Sequence, residues 1–79
     1  MPLVDGLEAT ARIKREFPET RIILLTSLRH GADVQRAISQ GVNGYCTKDA
    51  PTSLLIQAIQ QVLRGVTWID PSVARFAVS

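Results

Sequence analysis

The chain has 79 residues, a formal charge of +2 and 46% apolar residues, so it is one domain or less, and a chain this short buries only roughly 60% of its unfolded surface. One cysteine, Cys46, and one histidine, His30, exclude an internal disulfide framework and a structural zinc site of the usual Cys/His spacing. No apolar run reaches the ~20 residues of a membrane span, and Lys14, Arg15, Arg21, Arg29, Arg36, Lys48, Arg64 and Arg75 are too scattered among seven acids to make a nucleic-acid face.

The elements follow in chain order. The opening Met1-Pro2-Leu3-Val4-Asp5 has no basic or long apolar stretch, so no signal peptide is expected. Gly6 to Phe17 is predicted to be a helix. Leu3, Leu7, Thr10, Ile13 and Phe17 fall within one arc at helical spacing, and Lys14 inside that arc is expected to snorkel. Asp5 suits the N-cap with Glu8 three residues on, and Pro18 stops the helix. Arg21 to Leu25 is predicted to be a strand. Its continuous Ile22-Ile23-Leu24-Leu25 suits a parallel strand covered on both faces.

Ala32 to Ser39 is predicted to be a short helix burying Val34, Ala37 and Ile38, with Gly41 just past its end. Gly44 to Thr47 is a short strand, and Cys46 within it an inert core residue. Thr52 to Arg64 is a helix whose apolar face, from Leu54 to Leu63, spans about half the circumference. That is wider than one sheet face needs and predicts a second apolar contact. Gly65 ends this helix, Val66 to Ile69 is extended, and Trp68 is expected to pack on the helix. Asp70 suits the N-cap and Pro71 the first position of a last helix running to about Val78. Strand, helix, strand in this order implies a right-handed parallel crossover. Two short strands, however, are too few for a stable sheet.

Certain residues in this order carry a family pattern. Met1-Pro2-x-x-Asp5-Gly6-Leu7-Glu8-Ala9 resembles the turn after the third strand of bacterial response-regulator receiver domains. Ile22-Ile23-Leu24-Leu25-Thr26-Ser27 is similar to their fourth strand and its terminal hydroxyl. Gly41-x-x-Gly44-Tyr45-x-x-Lys48-Asp49 is similar to their fifth strand and its lysine. Gly65-x-x-Trp68-Ile69-x-Pro71 resembles the segment after the receiver in LuxR/NarL-like transcriptional regulators. Each motif is short, but the four together span nearly the whole chain in the right order.

The resemblance implies an α/β chain with a truncated flavodoxin-like receiver fold. Residues 1–64 would be the carboxyl-terminal half of the receiver, and 65–79 a linker and short helix following it. It implies that Thr26 and Lys48 are remnants of a phosphoryl site, hydroxyl and cation, and that Tyr45 is a switch-like aromatic. In the residues themselves the plainer readings stand beside these. Thr26 is a hydroxyl ending a strand, Lys48 is exposed or paired with Asp49 or a partner's acid, and Tyr45 is a packed core residue.

The family's acceptor aspartate would stand three residues before Met1, and its magnesium-binding acid pair earlier still. Asp5 and Asp49 are not in their places. No metal or other cofactor is therefore expected, and no nucleophile–base constellation supports an enzyme.

With strand order 2-1-3-4-5 in the intact fold, the half that remains exposes the strand at Arg21, Ile22, Ile23, Leu24 and Leu25 as an edge. The expectation is a homodimer or larger homo-oligomer closing that edge, with full-length receivers as possible partners and neither DNA nor membrane binding. A cysteine-poor chain of this kind is expected in the cytoplasm. Three readings of function follow. The first is a non-phosphorylatable interaction module. The second is a piece of a longer phosphorylation-controlled DNA-binding regulator. The third is an independent small binding protein.

Overall fold

The computed structural model describes residues 6–27 and 29–77. The Met1-Pro2 motif, Leu3, the Asp5 cap and Val78 lie outside the described residues. The order is α1 (Gly6–Glu16), β1 (Ile23–Thr26), α2 (Gly31–Ser39), β2 (Gly44–Thr47), α3 (Thr52–Leu63), β3 (Trp68–Ile69) and a terminal 3-10 turn, Ala74–Ala77.

The sheet has three strands in the order β1-β2-β3, all parallel. This corrects the two-strand expectation. Trp68 donates its amide to Asn43 and Asp70 donates to Tyr45, both at carbonyl oxygens, which converts the extended segment into a third strand. The alternation of side chains sends Leu24, Tyr45 and Ile69 to one face, under Leu7 of α1 and Val34 and Ala37 of α2. It sends Ile23, Cys46 and Trp68 to the other, under Ala58 and Val62 of α3. Trp68 thus packs on α3 as expected, and Cys46 is a core thiol. Gly44 sits where these rows are tightest. A Cβ there would lie 3.0 Å from Ile23 and 3.3 Å from Val62.

Local chemistry sets the boundaries. Gly41 and Gly65 adopt φ of +92° and +89°. Each follows a helix whose last carbonyls are closed by the Schellman pattern: Gly41 N–H to Ile38 and Val42 N–H to Ala37 after α2, then Gly65 N–H to Val62 and Val66 N–H to Gln61 after α3. Residues with a Cβ adopt that conformation only at a cost.

β1 begins two residues later than predicted. The amide of Ile22 donates to the Asn43 side-chain oxygen, and its carbonyl accepts from Asn43 and Gly44. Arg21 is therefore outside the strand, and its guanidinium donates to the Leu63 carbonyl at the end of α3 (3.1 Å). There it satisfies a carbonyl left open by the helix end. Lys14 does not simply snorkel. Its ammonium donates to the Thr20 carbonyl (2.6 Å) and the Asn43 side chain (2.9 Å). It ties the end of α1 to the start of β2.

The apolar side chains of α1 and β1 are covered unequally. In α1, Leu7 and Thr10 are buried but Ile13 is exposed, and Phe17 lies past the helix end at 62% exposure. Leu25 of β1, on the strand expected to be an open edge, is 49% exposed. The common cause is position. α1 and β1 form one side of the molecule, and among the described residues β1 pairs only with β2.

Candidate functional site

The three parallel strands point their carboxyl ends to the same edge, the place where ligands bind in open parallel sheets. Thr26 ends β1 there and Lys48 follows β2. The Lys48 amide donates to the Thr26 carbonyl (2.8 Å), so the two loops leave the sheet side by side. A hollow of about 200 Å³ opens beside them, lined by Gly6, Leu7, Leu24, Leu25, Thr26, Ser27 and Lys48. Thr26 is half-buried, whereas Ser27 and Lys48 are exposed.

This lining offers two hydroxyls and one ammonium, which suit an anion with phosphate-like oxygens. Magnesium takes carboxylate and other oxygen ligands, and none of the described lining residues is an acid. Among the described residues no group of three or more His, Cys, Asp or Glu could hold a metal.

The sequence-predicted residues separate into two places. Thr26 and Lys48 come together at the hollow. Tyr45 lies one layer below, with none of its surface exposed, in the core with Leu7, Val34, Ala37 and Val73. Burial, then the Asp33 charge, pushes its phenol above the ordinary value. The packed reading of Tyr45 describes its place in this conformation. Asp49 was a candidate partner for Lys48, but it pairs instead with Arg29. That pair bridges the loops after β1 and β2, and both side chains are exposed.

A second polar cluster flanks the hollow. Asp70 is buried at the end of β3. One carboxylate oxygen accepts from the Thr47 amide (3.1 Å) and hydroxyl (2.9 Å), the other from the Ser72 amide (2.9 Å) and hydroxyl (2.8 Å). Burial pushes this carboxyl up, but the bonds from Thr47 and Ser72 outweigh it and hold it below its ordinary value. The capping of Ser72 was legible from Asp70-Pro71. The grip on Thr47 was not, because it needs β3 paired beside β2. Asn43 and Arg29 also carried no sequence signal beyond being polar residues in loops.

Known proteins resemble this chain along most of its length. The family model for the response regulator receiver domain matches residues 1–60. The oxygen regulatory protein NreC of Staphylococcus carnosus is 37% identical over 78 residues, which are 99% of this chain and 36% of that protein. Response regulator GacA of Pseudomonas aeruginosa is 35% identical over 75 residues, covering 95% of this chain and 35% of that one.

Among solved structures, a LuxR-family two-component response regulator from Aurantimonas matches with a TM-score of 0.88 and 31% identity, over 98% of this chain and 55% of that chain. The RcsB response regulator of Salmonella typhimurium matches with a TM-score of 0.81 and 26% identity, over 96% and 36%. The chain belongs to the response regulator receiver family, in the type found in LuxR/NarL-like regulators. It spans about a third of the length of these curated relatives.

Proposed function

We propose that this chain is the interaction half of a two-component receiver, residues 1–64, followed by a post-receiver segment, 65–79. It pairs with other chains rather than accepting a phosphoryl group itself. Thr26 and Lys48 are the hydroxyl and cation that face a phosphoryl oxygen at the sheet edge. It takes no magnesium, catalyses no reaction and acts in the cytoplasm. The observation that carries the reading is strand β1. Its Ile22 and Thr26 carbonyls accept from Gly44 and Lys48 of the β2 side. In a parallel ladder the alternate groups, at Ile23 and Leu25, then point the other way. Leu25 on this strand is 49% exposed. A second copy related by a two-fold axis would join β1 to β1 in antiparallel pairing. Full-length receivers would compete for the same edge.

The test is light scattering on a dilution series, together with incubation in acetyl phosphate and intact-mass measurement. The expected result is a dimer or larger species with no added phosphoryl group. A monomer at every concentration, or a stable phosphoryl adduct, defeats the reading.

A second reading has its own support: the same residues serve as a stretch of a longer phosphorylation-controlled, DNA-binding regulator. Nearly the whole chain matches, and it covers only 36% of NreC and 35% of GacA, both longer proteins. An acceptor aspartate and an acid pair encoded in frame upstream of Met1 would favour it.

A further inference from the structure

We infer that Asp70 is a positioning residue that locks the Thr47–Lys48 turn to the terminal segment, so that the phosphoryl-facing end of the sheet and the seating of Phe76 on α2 move as one unit. The inference rests on the reading of Thr26 and Lys48 given above.

The geometry runs from one end to the other without a gap. Lys48 donates its amide to Thr26 at 2.8 Å. Its neighbour Thr47 faces the opposite way along β2, toward β3. But β3 is only Trp68–Ile69, and the Asp70 carbonyl, which would be the next acceptor, takes the Val73 amide instead. The Asp70 carboxylate folds back and supplies the missing acceptor, at 3.1 Å from the Thr47 amide and 2.9 Å from its hydroxyl. A side chain thus takes the place of the next rung of the ladder.

The other carboxylate oxygen holds the amide and hydroxyl of Ser72 and starts the turn that follows. Val73, 1% exposed, enters the core beside Tyr45 in the next residue. The 3-10 turn Ala74–Ala77 then lies on α2. The Phe76 ring sits 3.0 Å from where a Cβ of Gly31 would be, and the Gln35 side chain donates to the Phe76 carbonyl.

The charge matters to this joint. A carboxylate accepts at both oxygens at once, whereas an amide in its place would turn a donor toward either Thr47 or Ser72. Arg29 and Asp49 line the same small hollow as Asp70 and Ser72; their ion pair is exposed, and Asp49 also bonds the Thr47 side chain, but the Thr47 amide is held by Asp70.

Amide hydrogen exchange on the unmodified 79-residue chain tests the joint first. The Thr47, Ser72 and Phe76 amides are expected to exchange with the same protection and the same denaturant dependence, as one cooperative unit. Phe76 exchanging about tenfold or more faster than Thr47 would overturn the inference. Next, Phe76→Ala is expected to move the Lys48 amide resonance in the parent chain and to leave it in place in an Asp70→Asn background. No movement with Asp70 present, or equal movement without it, would also overturn it. Should Asp70→Asn fail to fold, the exchange data and the Phe76→Ala shift in the parent chain still decide. Titration of the same chain with inorganic phosphate, read at Thr26 and Lys48, tests the functional reading separately. It can fail while the joint holds.

Discussion

Asp70 accepts hydrogen bonds from two amides and two hydroxyls, and every one of them weakens if its carboxyl is protonated. Asp70→Ala leaves the buried Thr47 amide without its acceptor. It is expected to cost about 2–3 kcal/mol, measured by urea denaturation. The sign with pH follows from a carboxyl held below its ordinary value. The stability it contributes is present above the unfolded value of about 3.9 and is lost as pH falls through the lower folded value. Urea midpoints measured from pH 6 downward are expected to fall in that acid range, and less steeply in Asp70→Asn. Cys46 provides a second test at this scale. It is buried, and burial first, then the Asp70 charge, pushes its thiol up. It is expected to resist a disulfide reagent in the folded chain and to react promptly in urea.

At the scale of the element, the helix ends and the edge strand make different demands. A Cβ at Gly65 would touch nothing within 4 Å, so Gly65→Ala isolates the backbone cost of a φ of +89°. That cost is expected to be about 1–2 kcal/mol in thermal or urea unfolding, with Gly65→Asn losing less. Strand β1 carries the opposite kind of test. Leu25→Lys puts a charge on an exposed position of the open edge without touching the core row of Leu24, Tyr45 and Ile69. Charged edge residues oppose strand pairing between chains. The variant is expected to remain folded by circular dichroism while its mass in light scattering falls to that of the monomer. Unchanged mass would place the contact elsewhere, with α3 and its exposed Ile56, Ile59 and Leu63 the next surface to vary.

Across the whole molecule, burial is unequal on the two faces of the sheet. α1 and α2 share one face and α3 alone holds the other, leaving Leu63 64% and Ile56 50% exposed. Each large apolar side chain of this kind gains ~1.5–3 kcal/mol when fully covered. Assembly is therefore expected to raise stability. The melting temperature should increase with protein concentration over a hundredfold range, as mass action requires for a folded oligomer. A constant value would mean that the lone chain is the stable unit.

The amino-acid sequence by itself determined the order of the first five elements, the two glycine-terminated helices and the four motifs that carry the family resemblance. These rest on local physics: helical spacing, proline and glycine backbone limits, and the run of Ile22 to Leu25. Thr26 and Lys48 were legible because each sits next to a strand end within its own motif. The tertiary structure alone decided what depends on two segments meeting. It made Val66 to Ile69 yield a third strand through Asn43 and Tyr45, and gave Lys14 a partner in Asn43. It drew Arg21 out of the strand to the end of α3, and joined Asp49 to Arg29 rather than to Lys48. Asp70 shows the division most plainly. Its cap on Ser72 spans two residues and can be read along the chain. Its grip on Thr47 spans 23 residues and exists only because β3 lies beside β2.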